Sequence, residues 1–169
     1  LSRDIQQYIY DKGWPSLTNI QSAAIKQVAN TDHNLILSAP TASGKTEAAF
    51  IPALNSVEDW ETGLKVLYVS PLKALINDQF QRISELSEYL DIPITRWHGE
   101  VSQTQKRKVV NQPKGILLIT PESIEGMLVN RPGEAEHLFK GVEWIIIDEL
   151  HSFLGTERGI HLQSLLQRI

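Results

Sequence analysis

Residues 34–52 read NLILSAPTASGKTEAAFIP and place a short apolar run, a loop of small residues and a helix-forming run in that order. The apolar run of Leu35, Ile36 and Leu37 is long enough for a strand and too short for a helix. When a loop joins a strand to a helix in this way, N–H groups of the loop and of the first helical turn point toward one anion, and the helix dipole attracts it further. The stretch therefore predicts a strand over 34–38, a phosphate-binding loop, and a helix from residue 44 to about residue 60.

The loop itself, residues 39–46, has the spacing of a nucleotide-binding motif, with Ala39 in place of the first glycine. Lys45 would reach the β- and γ-phosphates of a nucleotide, and the Thr46 hydroxyl would hold Mg²⁺. An ordinary glycine-containing loop is the alternative interpretation, and the flanking strand and helix argue against it. The residues expected to surround the phosphates are Pro40, Thr41, Ala42, Ser43, Gly44, Lys45 and Thr46.

Length and composition limit the classes of protein to consider. A chain of 169 residues is expected to form one domain, and its 41% hydrophobic and 21% charged residues are typical of globular proteins. The apolar runs are too short to cross a bilayer, and the chain has no cysteine, which excludes disulfides, a thiolate nucleophile and Cys-ligated zinc. We expect a cytoplasmic protein. Because the net charge is −4, any contact with nucleic acid must come from a local surface.

Apolar strands alternate with helical patterns along the chain. We expect further strands over 65–70, 94–98, 115–120 and 143–148, and helices over 1–13, 19–30, 71–89, 102–111, 121–130 and 158–168. Pro71 is expected in the first helical turn, and Ile160, Leu162, Leu165 and Leu166 on the apolar side of the last helix. This alternation predicts a three-layer α/β domain with a mostly parallel sheet, whose ligands bind at the carboxyl ends of the strands.

The segment 145–151, IIIDELH, ends a predicted strand with two carboxylates. Asp148 could hold the Mg²⁺ shared with Thr46, and Glu149 suits a base that orients and deprotonates an attacking water. Acidic residues also follow buried strands without any function, but the phosphate loop favours the catalytic interpretation. An adjacent Asp-Glu favours hydrolysis over phosphate transfer, and the lack of an Asn-Lys-x-Asp stretch favours ATP over GTP.

Together, the phosphate loop and the Asp-Glu-x-His segment resemble the first RecA-like lobe of a superfamily 2 helicase of the DExH type. Residues 70–75, SPLKAL, resemble motif Ia, residues 120–123, TPES, resemble motif Ib, and residues 97–100, WHGE, resemble the segment between them. The run from Asp148 to Leu162 is most similar to the large helicase-related (Lhr) family. The resemblance implies a RecA-like P-loop NTPase fold for residues 1–169, with ATP and Mg²⁺ as cofactors.

The resemblance also implies roles for single residues. Gln21 would read the adenine edge, with an exposed helix glutamine as the alternative, and His151 would couple the ATP site to its surroundings. Lys45, Asp148 and Glu149 would be catalytic. Backbone N–H groups and hydroxyls along a nucleic-acid track would bind phosphates without reading sequence, and this track would include Pro71, Leu72, Lys73, Gly99, Thr120, Pro121 and Glu122.

Some features stay open at this point. Ala42 stands where the family has glycine, and the adenine-stacking aromatic residue could be Tyr8, Tyr10 or Trp14. Trp97 could stack a base or belong to the core. The basic residues 106–108 could contact a phosphate backbone or form a solvated helix face. The histidines show no metal-ligand spacing, so no zinc site is expected.

The chain is expected to be a fragment, because it starts at Leu1 and stops before the family's Ser-Ala-Thr segment and second lobe. The family's sheet would then have a gap beside the phosphate-loop strand. We expect a lobe of an ATP-dependent helicase that acts on single-stranded nucleic acid, with DNA favoured over RNA by family analogy. The piece alone should bind ATP·Mg weakly and hydrolyse little. The alternatives are a small-molecule phosphotransferase and a non-catalytic nucleotide-gated binding module.

Overall fold

The computed structural model describes residues 1–40 and 43–169. The chain divides into two units, Leu1–Glu58 and Asp59–Ile169. Among the described residues, none of the helices is long and apolar enough to cross a membrane.

Where it is described, over 1–40 and 43–58, the first unit contains three helices, α1 (Arg3–Asp11), α2 (Asn19–Asn30) and α3 (Lys45–Ser56). Ser2 and Thr18 cap the first two helices, since their hydroxyls accept the N–H groups of Ile5 and Gln21. Helices α2 and α3 pack against each other. These three helices were predicted from the sequence, although α3 ends at Ser56, before the predicted end near residue 60.

Residues 34–38 have no regular secondary structure, so the predicted first strand is wrong. The side chain of Ile36 is 81% exposed, and no strand of the described ranges pairs with this segment. An apolar run becomes a strand only when a neighbouring strand supplies hydrogen bonds to its backbone and contacts to its side chains. The apolar pattern of residues 34–38 predicted a strand, but it could not show whether a neighbouring strand would pair with it.

The second unit contains four strands, β1 (Gly63–Val69), β2 (Ile94–Trp97), β3 (Lys114–Ile119) and β4 (Trp144–Ile147). All pair in parallel in the order β2-β3-β1-β4. Val69 lies opposite both Ile119 and Ile147, and Trp97 lies opposite Ile119, so the four strands end at one edge. The predicted α/β class with a parallel sheet is confirmed, and the segments that follow all four strands meet at this carboxyl edge.

Five helices belong to the second unit: α4 (Lys73–Tyr89), α5 (Gln103–Asn111), α6 (Pro121–Asn130), α7 (Pro132–Phe139) and α8 (Glu157–Leu166). Helix α7 was not predicted, because its eight residues are too few to show a helical repeat, although Pro132 stands at its first position. The prediction for Pro71 is wrong, since α4 begins at Lys73 with an extended Leu72 as its cap. A short 3₁₀ turn, Leu150–Ser152, follows β4.

The core of the second unit lies on both faces of the sheet. On one face, side chains such as Leu67 and Leu117 pack with residues of α5, α6, α7 and α8. Helix α4 contacts β2 and β3, and its buried Ile76 and Ile83 lie outside that cluster, which places α4 on the opposite face. Helices therefore cover both faces, as the predicted three-layer arrangement requires.

The prediction for Ile160 is wrong, because its side chain is 72% exposed while Leu162 and Leu165 are buried. A Cβ on Gly159 would lie 1.9 Å from the carbonyl oxygen of Phe153, so the first turn of α8 contacts the preceding loop through Gly159. Gly159 and Leu162 are three residues apart and share one helix face. Ile160 lies away from that face.

Candidate functional site

In the first unit, the start of α3 is surrounded by the described part of the loop. The Nζ atom of Lys45 donates hydrogen bonds to the carbonyl oxygens of Ala39 (2.6 Å) and Pro40 (2.9 Å). The hydroxyl of Ser43 also donates to the Pro40 carbonyl, at 2.7 Å. The ammonium group of Lys45 is thereby held beside the N-terminus of α3, where helix N–H groups attract anions. Thr41 and Ala42, predicted to bind phosphate, lie outside the described residues.

Gln21 contacts the loop from α2. Its side chain is 4% exposed, its Oε1 accepts the Thr18 N–H at 2.9 Å, and its Nε2 donates to the Gly44 carbonyl at 3.4 Å. Gly44 has a φ of +81°, and a Cβ there would lie 2.4 Å from the Gln21 Nε2. The positive φ favours glycine at position 44, and a Cβ there would also displace the end of the Gln21 side chain. The alternative of an exposed glutamine is wrong, and the contact with adenine stays a prediction.

In the second unit, Asp148 directly follows β4 and stays in register with β1, because its N–H donates to the Val69 carbonyl at 2.9 Å. The Asp148 Oδ2 accepts a hydrogen bond from the Tyr68 hydroxyl, and its Oδ1 accepts the N–H of Glu149 at 2.9 Å. Burial raises the pKa of Tyr68, and the hydrogen bond to Asp148 raises it further, so Tyr68 is a neutral donor at physiological pH. The carboxylate of Asp148 thus has one protein donor on each oxygen.

Glu149 turns the chain away from the sheet. Its φ is +49°, in the left-handed region that non-glycine residues rarely adopt. The Glu149 side chain is 41% exposed, and its Oε2 lies 3.3 Å from Nδ1 of His151, whose side chain is 78% exposed. The Glu149 carboxylate is thus accessible to water, and its role as a base stays a prediction.

In the ranges 1–40 and 43–169, no group of three or more His, Asp or Glu side chains is arranged to hold a metal ion. Mg²⁺ sites in nucleotide-binding proteins use one or two carboxylates and hydroxyls together with phosphate oxygens. Thr46 in the first unit and Asp148 in the second unit each carry an oxygen donor of this kind.

The predicted nucleic-acid residues that follow β1, β2 and β3 lie at the carboxyl edge of the sheet, as Asp148 does. The Thr120 hydroxyl accepts the Ser123 N–H at 3.3 Å and caps α6. Leu72 is 56% exposed, Pro71 and Pro121 are buried, and Gly99 lies at the surface. One edge of the second unit therefore carries both the predicted hydrolytic carboxylates and the predicted nucleic-acid track.

Residues 18–169 match the family model described as DEAD/DEAH box helicase. This chain belongs to that family. The predicted resemblance to superfamily 2 helicases is confirmed.

Relatives of this helicase chain include Lhr proteins. ATP-dependent helicase Lhr-Core protein 2 of Thermococcus barophilus is 37% identical over 154 residues, covering 80% of this chain and 18% of that protein. The Lhr helicase/uracil glycosylase of Escherichia coli is 35% identical over 176 residues, covering 90% of this chain and 11% of that protein. The chain therefore spans less than about a fifth of the length of these two relatives.

A solved structure gives the same result for the fold. The structure of Mycobacterium smegmatis helicase Lhr bound to ssDNA and AMP-PNP superposes with a TM-score of 0.85 at 30% identity. The match covers 99% of this chain and 22% of that chain. The RecA-like fold expected for this helicase lobe is confirmed.

Arg158 of the helicase chain was given no role in the sequence analysis, and it connects two predicted nucleic-acid segments. The Nη2 atom of Arg158 donates to the Pro71 carbonyl at 2.9 Å and to Oε1 of Glu122 at 2.6 Å. Lys73 forms an ion pair with Glu100 in the same region. The charges of Glu122 and Lys73 are therefore each paired. Arg158 lies within the Lhr-like run 148–162, which indicated that the residue could have a role. The run could not show which residues Arg158 contacts.

Tyr68 was also missed, although the sequence contained a signal. It is a hydroxyl-bearing residue inside the apolar strand KVLYVS, and a buried tyrosine usually finds a hydrogen-bond partner. The identity of that partner could not be read from the strand alone.

The aromatic and basic residues left open by the sequence now have positions. Trp97 is 6% exposed and belongs to the core, so that alternative is confirmed. The Nζ atom of Lys106 lies 5.7 Å from the Trp97 ring centroid, which gives this lysine a cation–π contact. In the first unit, Tyr8 and Trp14 pack edge to face at 6.1 Å, while Tyr10 is 78% exposed. The residue that stacks on adenine stays a prediction.

Proposed function

We propose that this chain is the first ATP-binding lobe of a helicase that hydrolyses ATP while it moves along single-stranded nucleic acid, with DNA as the favoured track. The observation that carries the proposal is the shared carboxyl edge of the second unit. Asp148 and Glu149 follow β4, and the segments resembling motifs Ia and Ib follow the neighbouring strands β1 and β3. A movement of Asp148 or Glu149 during hydrolysis can thus be transmitted to the nucleic-acid track through the adjacent strands.

Each proposed catalytic residue has a defined task. Lys45 exchanges the carbonyl oxygens of Ala39 and Pro40 for phosphate oxygens, which are better acceptors because they carry charge. Asp148 and Thr46 would each offer an oxygen ligand to Mg²⁺, and this ion would supply positive charge near the phosphates when bound. Glu149 orients and deprotonates the attacking water.

The proposed track uses main-chain groups and hydroxyls. Such contacts bind phosphates of any sequence, which suits an enzyme that translocates. They also let a chain with a net charge of −4 bind nucleic acid through one surface. DNA is favoured because the similar Lhr structure contains ssDNA. A second RecA-like lobe would supply the arginine that stabilises the transition state, so residues 1–169 alone should hydrolyse ATP slowly.

The test compares ATP hydrolysis by residues 1–169 with that by the longest natural chain containing them. Each is assayed alone, with single-stranded DNA and with single-stranded RNA. We expect the long chain to be stimulated by one polymer, DNA in preference to RNA, and Lys45→Ala to abolish this activity. The exposed Lys26 on α2 provides the matched control, Lys26→Ala. Equal and unstimulated activity of both chains would instead indicate a self-contained phosphotransferase.

A further inference from the structure

The carboxylate of Asp148 is contacted by a buried side chain from the neighbouring strand. Tyr68 on β1 lies opposite Ile146 on β4, and Asp148 is two residues beyond Ile146. Because side chains alternate along a strand, Tyr68 and Asp148 lie on the same face of the sheet. The Tyr68 hydroxyl donates a hydrogen bond to Oδ2 of Asp148, and Tyr68 is only 3% exposed.

The two donors on Asp148 act from different directions. Oδ2 accepts from the Tyr68 hydroxyl and Oδ1 accepts from the Glu149 N–H at 2.9 Å. A carboxylate held on both oxygens cannot rotate freely about its last bond, and each oxygen keeps a further lone pair. Of these two bonds, the one from Tyr68 comes from a different strand, so it ties the carboxylate to the sheet. The buried ring of Tyr68 has little freedom to move.

We propose that Tyr68 is a positioning residue, whose hydroxyl orients the Asp148 carboxylate for Mg²⁺-dependent binding of ATP. This inference rests on the proposed function, because it takes Asp148 as a ligand of Mg²⁺. Groups that hydrogen-bond a ligating carboxylate fix its orientation, and their removal typically weakens metal binding by about 10- to 100-fold.

The test is Tyr68→Phe in the longest natural chain that contains these residues. Binding of a fluorescent ATP analogue is measured over a range of Mg²⁺ concentrations and in EDTA. We expect the Mg²⁺ concentration for half-maximal binding to rise about 10-fold or more, with binding in EDTA unchanged. A purely structural role for Tyr68 would lower the thermal midpoint without moving the Mg²⁺ dependence.

Two further variants separate this inference from the proposed function. Tyr89→Phe makes the same chemical change at the end of α4, at a residue that is 43% exposed, and it should behave as wild type. Asp148→Asn should raise the Mg²⁺ requirement if Asp148 is a ligand. If Asp148→Asn raises the Mg²⁺ requirement and Tyr68→Phe does not, Tyr68 has no positioning role and the proposed function stands. If neither variant raises it, the role of Asp148 itself is wrong.

A measurement on the wild-type chain guards against poor folding of Tyr68→Phe. The NMR shift of the Tyr68 ring carbon that bears the hydroxyl reports its hydrogen bond. We expect this resonance to move when Mg²⁺ is added to the nucleotide-bound chain. A resonance that stays in place would overturn the inference.

Discussion

Glu149 directly follows Asp148, and the two carboxylates differ in their hydrogen-bond partners. Asp148 has a protein donor on each carboxylate oxygen, whereas Glu149 has a side chain that is 41% exposed and lies beside an exposed histidine. Two adjacent carboxylates in unlike environments can take different tasks, one as a fixed ligand and the other as a base that must reach water.

The replacement Glu149→Gln should retain ATP binding and lose turnover. The amide keeps the size of the side chain but cannot accept a proton, and a general base typically contributes about 10²–10⁴ in rate. Steady-state ATP hydrolysis and nucleotide titration of the long chain measure the two effects separately. Glu157→Gln, at an exposed position in the first turn of α8, is the matched control. Unchanged turnover in Glu149→Gln would favour a nucleotide-gated binding module.

At the scale of elements, α8 is joined to the carboxyl edge of the sheet by charged side chains. Arg158 at its start contacts the Pro71 carbonyl after β1 and Glu122 in the first turn of α6. His161 on α8 and Arg168, two residues beyond the end of α8, both approach Oε2 of Glu125, at 3.0 and 3.3 Å. The helix therefore connects two segments of the proposed track through Arg158 and contacts α6 again beyond it.

Arg158→Gln should weaken binding of single-stranded DNA by a few-fold. The ion pair is partly exposed, with side chains 42% and 57% accessible, and such pairs contribute roughly 0.2–1 kcal/mol. Its loss also leaves the Glu122 carboxylate unpaired beside the proposed phosphate path. Fluorescence anisotropy with labelled DNA at two salt concentrations measures the change.

Two comparisons make the Arg158 prediction specific. Adding Glu122→Gln to Arg158→Gln should restore part of the affinity, because the unpaired charge is removed. Arg168→Gln removes a similarly exposed arginine of the same region and should leave DNA binding near wild type. Equal losses in Arg158→Gln and Arg168→Gln would show that only general positive charge matters.

At the scale of the whole molecule, stability depends on a histidine at the end of β2. His98 is 6% exposed, and its Nε2 lies 3.3 Å from Oδ1 of Asn77, which also accepts from Arg96. Because Asn77 Oδ1 can only accept, His98 is the donor there. Burial is the main cause that lowers the pKa of His98, the charges of Arg96, Lys106 and Lys73 lower it further, and Glu100 opposes them.

The sign of the pH effect follows from this lowered pKa. The unfolded chain takes up a proton at His98 near the ordinary value of 6.5, and the folded chain does so only at a lower pH. The stability that depends on neutral His98 is therefore complete above about pH 7, and it decreases as the pH falls below 6.5. Urea unfolding at pH 7.5 and 5.5 should show that the free energy of unfolding decreases more for wild type than for His98→Gln. His137 is exposed, so His137→Gln is the control, and its free energy of unfolding should decrease as much as that of wild type.

Much of the fold and the site was determined by local patterns in the sequence. The helix start at Asn19, four of the five predicted strands, and the Asp148–Glu149 pair at a strand end all depend on residues within one or two turns of each other. Such features are readable because propensity, capping and alternation act over short distances along the chain. The family resemblance rested on motifs of the same local kind.

The tertiary structure alone decided the contacts between residues distant in the chain. Tyr68 bonds Asp148 across 80 positions, and Arg158 reaches Pro71 across 87, because β1 and β4 are neighbours in the sheet. Residues 34–38 show the reverse case, an apolar run with strand propensity but no pairing partner among the described strands. The physical reason is common to all three. Strand pairing and side-chain partners depend on which elements become neighbours in space, and that order is not contained in the local pattern of any one segment.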